Sequence, residues 1–165
     1  MTLTGGRERK SRKISIRPAR REDEPFVLAT ARRLAAFGPP PWRTADEIVS
    51  GESRTLRAFF DASVPGTALR IAEIGTGAPA GFAFLESLVD YFTGETHGHI
   101  GILAVSETGE GRGVGGALLE DAERWARGLG YGKLTLNVFE ANRHARAVYE
   151  HAGFAPETLR YSKRL

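Results

Sequence analysis

The stretch ETGEGRGVGGALLED, residues 107–121, places Gly109, Gly111, Gly113, Gly115 and Gly116 directly ahead of an apolar-periodic run. A glycine inside a helix costs roughly 1 kcal/mol relative to alanine, so a cluster at a helix entrance calls for a reason. The usual one is close approach of backbone N–H groups to an anion, and a nucleotide phosphate is the commonest such guest. Downstream, Val114, Ala117, Leu118, Ala122, Trp125, Ala126 and Leu129 fall at helical spacing, with Gly128 and Gly130 as the stop.

Taken literally, Gly111, Gly113 and Gly116 spell the dinucleotide fingerprint G-x-G-x-x-G, and Glu140 follows the next strand where a ribose-binding acid would sit. The context argues against it. Ser106 to Glu110 separate the glycines from their strand, and too little chain follows to complete a doubly wound sheet. No Gly-Lys-Ser/Thr closes the segment, which excludes a P-loop.

Outward from the glycines, the chain reads as one α+β domain. Ile14 and Ile16 alternate as an opening strand, and Asp23 with Pro25 opens a helix whose face is Phe26, Thr30, Leu34 and Phe37. FGPPPWRTADE (37–47) breaks that helix, and Thr44 with Glu47 forms a capping box for a second one carrying Ile48, Leu56, Phe59 and Phe60 to near Gly66. TALRIAEI (67–74) and AGFAFLESLVDYF (80–92) flank GTGAP as a hairpin, and HIGILAV (99–105) reads as a central strand covered on both faces. KLTLNVF (133–139) alternates as a strand, NRHARAVYEHAGF (142–154) is a short helix, and ETLRYSKRL (157–165) reads as a closing strand.

Bulk composition narrows the class. The 165 residues are 41% hydrophobic and 26% charged, ordinary for a globular domain. Zero cysteines exclude a disulfide framework, a thiolate zinc site and a cysteine nucleophile. Net charge is +3, and much of the excess sits in Arg7, Arg9, Lys10, Arg12 and Lys13, read as a basic arm over residues 1–12 ahead of the domain at 13–165. No aromatic residues interleave those charges, so a solvated tail is favoured over nucleic-acid contact. No apolar run has the length of a membrane span or a secretory signal, and the expectation is a cytoplasmic protein without membrane or metal.

EGRGVG (110–115) resembles the Q/R-x-x-G-x-G/A diphosphate loop of the GNAT superfamily of N-acetyltransferases. NRHARAVYEHAGF is similar to that superfamily's N-x-x-A-x-x-L-Y-E-x-x-G-F signature, with Asn142, Ala145, Tyr149, Gly153 and Phe154 in register. HIGILAV looks like its fourth strand and ISIRPARRED like its opening strand and turn, so the resemblance covers about residues 14–165. One departure is Glu110, where the family has Gln or Arg; a carboxylate beside a diphosphate would repel it, so Glu110 is expected to point to solvent. The resemblance implies a mixed sheet of about six to seven strands with about four helices, splayed between the fourth and fifth strands.

It further implies an acyl-CoA-dependent N-acyltransferase (acetyl-CoA as cosubstrate) acting on a small-molecule or peptidyl primary amine, with a homodimer left open. Cofactor contacts fall to Leu103, Ala104 and Val105 of the fourth strand, to Glu110, Gly111, Arg112, Gly113, Val114, Gly115 and Gly116, and to Asn142, Ala145 and Tyr149. The Leu103 amide is the implied oxyanion donor, a kind of dipole worth ~3 kcal/mol. Tyr149 matches the family's general acid for the departing thiolate; a core tyrosine at helical spacing would look the same. Asn142 either caps its helix, binds cofactor, or does both.

A lysine-like amine at neutral pH is unprotonated only about 0.04% of the time, a cost of roughly 4.6 kcal/mol, so a base helps. His99 is a candidate, on the same strand parity as Leu103 and Val105; a strand-edge histidine bonded to backbone is the alternative. Glu86, Asp90 and His97 compete for the role. Phe37 and Trp42, with Tyr91 and Phe92 from the loop after the third strand, are expected to wall the acceptor site unless they are core. Glu95 is a further anchor for a cationic acceptor. A non-catalytic acyl-CoA-binding module and a dinucleotide oxidoreductase are the competing readings.

Overall fold

Period-two apolar alternation between residues 67 and 105 builds the three long strands of the computed structural model, which describes residues 13–62 and 64–165. In chain order the elements are β1 (Ile14–Pro18), α1 (Glu24–Ala31), α2 (Ala45–Asp61), β2 (Thr67–Ile74), β3 (Ala78–Val89), β4 (Thr96–Val105), α3 (Val114–Gly128), β5 (Leu134–Leu136) and α4 (Arg143–His151). The basic arm at 1–12 lies outside the described residues. One sheet runs β1-β2-β3-β4-β5; its first four strands are antiparallel, and only β5 lies parallel to its neighbour. A single parallel pair rules out the doubly wound sheet that a dinucleotide fingerprint needs.

Each face of the sheet buries its own apolar cluster. Val27 and Ala31 of α1 and Leu56 of α2 pack on Leu69, Ile71, Phe82, Phe84, Ile102 and Ala104. On the opposite face Val114, Leu118, Leu119 and Ala122 of α3 pack on Ala72, Ile74, Ala83, Leu85 and Ile100, with Val148 and Tyr149 of α4 joining from the side. Arg70 of β2 ties α3 down through Asp121, with Nε–O at 2.7 Å.

The structure departs from the sequence expectations at the edges. The sheet has five strands among the described residues, because β5 spans three residues rather than seven and residues 157–165 form no strand. The first helix ends at Ala31 and tightens into a 3-10 turn over Arg32–Ala36; Val27, Thr30 and Ala31 are its buried residues, Phe26 and Leu34 pack half-buried on the same cluster, and Phe37 is exposed. The capping box of α2 forms as read: Thr44 Oγ accepts from the Glu47 amide at 3.1 Å, and the Thr44 amide donates to Glu47 at 2.8 Å. That helix stops at Asp61, short of Gly66.

The start of the chain is locked by one charged knot. Arg17 of β1 forks onto Asp23 at 2.7 and 2.9 Å and reaches Glu73 of β2 at 2.6 Å. Asp23 is buried and also accepts the Arg20 amide at 2.7 Å. The Arg17 guanidinium holds the Asp23 carboxyl below its usual range. A depressed folded-state pKa contributes stability that is present above the unfolded value, near 4, and is lost as pH falls through the folded one. We expect Asp23→Asn to lower the unfolding free energy by about 3 kcal/mol at neutral pH. The variant should also lose part of the wild-type decline in melting temperature below about pH 4, which thermal scans from pH 7 to 2 would read.

Candidate active site

At the glycine segment the chain turns three times in a short space. Glu107–Gly109 form a 3-10 turn, and Gly111 and Gly113 then take left-handed conformations, φ +66° and +82°, that aim the chain into α3. Gly109 is a fold glycine: a Cβ there would lie 2.4 Å from the Ala80 carbonyl oxygen. Gly115 and Gly116 are different. Neither has a positive φ, and a Cβ on Gly116 would meet nothing within 4 Å while one on Gly115 would meet only Val105 at 3.8 Å. The fold does not require them to be glycine. Among the described residues, the amides of Gly111, Gly113, Val114, Gly115 and Gly116 donate to no acceptor. Five open N–H groups at the positive end of a fifteen-residue helix make an anion cradle that a diphosphate fits.

Beside this cradle β4 loses its neighbour. Pairing with β5 covers only Gly98–Ile100 against Leu134–Leu136, so the strand from Gly101 to Val105 has an open edge. The Ser106 amide donates to the Ala80 carbonyl at 2.9 Å, toward β3. By strand alternation Ala104 and Ile102 also turn their amides to β3, while Leu103 and Val105 turn theirs into the opening. Ala104, expected among the cofactor contacts, is therefore occupied in the ladder and buried against α1 and α2. Leu103 and Val105 pack their side chains on the α3 face.

A bulge sets the other wall. Phe84 pairs with Ile102 but Leu85 with Ile100, which leaves Gly101 as an extra residue in β4. Strand parity inverts there. His99 thus shares its face with Ile102 and Ala104, opposite to Leu103 and Val105, and the expected common parity is corrected. Glu86 is the cross-strand partner of His99 on that face, and its carboxylate reaches the bulge: a Cβ on Gly101 would lie 3.0 Å from Glu86 Oε1. His97 stands two residues away on the same face, and both imidazoles are only 8% exposed. His97 Nδ1 is buried without a hydrogen-bond partner.

His99 Nδ1 lies 2.8 Å from Thr135 Oγ1, and that hydroxyl has the Gly98 carbonyl at 3.5 Å as its own acceptor. Thr135 thus holds the Nδ1 edge of the imidazole, and among the described residues Nε2 has no hydrogen-bond partner. Burial, and then neighbouring His97, push the His99 pKa below its ordinary value, so the ring is neutral near pH 7. Thr135 and Gly101 carry no motif, and sequence reasoning missed both. Asp90 is removed from the candidate bases. It accepts the Phe92 and Thr93 amides at 2.9 and 3.0 Å and pairs with Lys133, which together build the β3–β4 turn and hold its pKa low. Tyr91 and Phe92 stand on that turn 92% and 84% exposed, edge to face with each other.

Across the opening, Tyr149 packs between the α3-side cluster and Phe154. Burial raises its phenol pKa, so it is protonated and a donor at any working pH, and its hydroxyl has no partner among the described residues. Asn142 caps α4 by accepting the Ala145 amide at 3.1 Å, which occupies its oxygen and leaves its NH₂ available. The joint before α2 comes to the same place: a Cβ on Gly38, φ +68°, would sit 2.6 Å from the Asn142 nitrogen. Phe37 and Trp42 of this joint are both exposed. Glu110 is exposed, as expected, but has a partner there. It pairs with Arg33, which also holds Glu107 at 3.0 Å. Arg33 carried no sequence signal, since its partners lie 74 and 77 residues away.

These placements separate fold glycines from site glycines. Gly116→Ala should raise the unfolding free energy by about 0.5 kcal/mol while weakening anion binding, and Gly109→Ala should lower it by more than ~1 kcal/mol. Denaturant titrations of the two variants would read the opposite signs.

Comparison with known proteins places this arrangement. The family model described as Acetyltransferase (GNAT) family matches residues 30–154. A mycothiol acetyltransferase of Beutenbergia cavernae is 30% identical over 135 residues, 82% of this chain and 42% of that protein. The chain thus spans less than half the length of this curated relative. Among solved structures, a ribosomal-protein-alanine N-acetyltransferase from Brucella melitensis superposes with a TM-score of 0.67 at 20% identity, covering 93% of this chain and 100% of that one. An aminoglycoside N-acetyltransferase in complex with CoA gives 0.67 at 19% identity, covering 93% and 97%. Among the described residues no group of three or more metal-ligating side chains gathers, and no helix is long and apolar enough to cross a membrane. With the family model spanning most of the sequence, and the anion cradle and open β4 edge beside it, the chain belongs to the acetyltransferase (GNAT) family.

Proposed function

We propose that this chain transfers an acetyl or other short acyl group from acyl-CoA to a primary amine, by direct attack within a ternary complex. The observation that carries the reading is the set of five unpartnered amides from Gly111 to Gly116, adjoining the open edge of β4. Gly111, Gly113, Val114, Gly115 and Gly116 would hold the diphosphate, with Arg112 adding charge. The Leu103 and Val105 backbone would pair with the pantetheine arm, and the Asn142 NH₂ adds a further donor. The carrier presents an activated acyl carbon as a thioester.

On the acceptor side, His99 Nε2 takes a proton from the ammonium, directly or through a water, and the amine nitrogen attacks the acyl carbon. Glu86, beside the bulge, attracts the cationic acceptor before deprotonation. The Leu103 amide receives the oxyanion as the tetrahedral centre forms. Collapse breaks the C–S bond, Tyr149 delivers its proton to the departing sulfur, and the proton shed by the acylated nitrogen returns through water to the Tyr149 phenolate. The chain has no cysteine to carry an acyl-enzyme, in keeping with direct transfer. Phe37 and Trp42 wall the acceptor.

Four measurements test the reading. Acetyl-CoA should raise the melting temperature and NADH should not, because only a ligand of the folded state stabilises it. Across a panel of amines, at least one should release free CoA thiol; binding without release for every amine would leave a non-catalytic module. Tyr149→Phe should cut kcat by tenfold or more with KM for acetyl-CoA little changed, and an unaltered rate removes the acid assignment. The rate should fall as pH drops through the lowered His99 pKa, below about 6.5, and His99→Gln should abolish that limb of the kcat/KM profile.

A further inference from the structure

We infer that Arg33 is a positioning residue whose clasp on Glu110 keeps that carboxylate out of the anion cradle. The inference rests on the acyl-CoA reading above and goes beyond it. A carboxylate three residues before the N-cap of α3 lies next to five open amides and the positive end of a helix dipole. Such a group is attracted to those amides and competes with any anion that visits them.

In this chain that competitor is restrained. The guanidinium of Arg33, in the 3-10 turn after α1, pairs with Glu110 on one nitrogen and with Glu107 at 3.0 Å on another. A planar fork suits this double grip, and lysine's point charge does not reproduce it. Arg33 is mostly buried, and its Nε is enclosed without an acceptor, so the side chain stays committed to the clasp despite an unsatisfied donor. The segment that carries it continues to Gly38, whose backbone meets the Asn142 region. Residues 33–38 thus strap the turn before α3 to the N-cap of α4, one on each side of the open β4 edge.

Isothermal titration with CoA, using the full chain, tests the idea through a mutant cycle. Arg33→Met frees Glu110 and should weaken CoA binding by about tenfold. The same change in a Glu110→Gln background should cost less than about threefold, because no carboxylate remains to compete. Turnover adds a readout that a merely structural role would not give. KM for acetyl-CoA should rise in Arg33→Met, kcat should hold within about twofold, and KM for S-acetylpantetheine, which lacks a diphosphate, should stay unchanged.

Arg33→Lys, keeping the charge without the fork, should fall between wild type and Arg33→Met, and it carries the same cycle if Arg33→Met fails to fold. An equal loss in both backgrounds means that Arg33 does not act through Glu110 and overturns the inference. So does a parallel rise in KM for S-acetylpantetheine, or unchanged binding in a folded Arg33→Met protein. Failure of the wild-type chain to bind CoA at all would instead overturn the acyl-CoA reading beneath it.

Discussion

Backbone hydrogen bonding leaves β4 only half satisfied, and much else in this molecule is arranged around that fact. Three residues of β5 pair with it, after which the two strands part and the last five residues of β4 offer amides and carbonyls to whatever enters. A buried backbone group without a partner costs free energy comparable to a lost hydrogen bond, so the folded chain is stable with this edge open only where water or a ligand reaches it. The neighbouring α3 entrance has the same character, with its first-turn amides unpaired and its outward side chains, at Gly115 and Gly116, reduced to hydrogen. Two unrelated pieces of secondary structure thus expose donors to one region.

The packing explains how such an opening is tolerated. Leu103 and Val105 anchor β4 on one face through α3, while Ile102 and Ala104 anchor it on the other through α1 and α2. The strand is held rigid by side chains above and below, and it does not need a lateral partner to stay extended. Arg70–Asp121 and Arg17–Asp23–Glu73 add charged ties at the far side of the sheet, where no opening is needed.

Much of this was legible in residue order. The glycines, the Asn142–Phe154 signature and the alternation of β2 to β4 carry their meaning locally, through periodicity and backbone freedom. The Thr44 capping box was readable for the same reason. What escaped reading was non-local or depended on a single inserted residue. Arg33 meets partners more than seventy positions away, so nothing near it hints at its role. Thr135 is an ordinary polar position in the alternating run 133–139, and the closing strand expected at 157–165 pairs with nothing among the described residues. The parity of His99 was misjudged because alternation presumes a regular ladder.

That irregularity at Gly101 has a wider meaning for how the two halves of β4 divide their labour. An inserted residue acts like a half-turn in a ribbon: residues ahead of it and behind it exchange front for back. Deleting Gly101 would leave a regular ladder with every side chain on its present face, whereas drawing Gly101 into the pairing would rotate His97 and His99 into the oily layer beneath α3 and lift Gly98 and Ile100 toward α1 and α2. Chemistry and core would trade places without a single functional group being altered. The upstream half of the strand thus keeps its chemistry toward α1 and α2 only while this one residue stays outside the pairing.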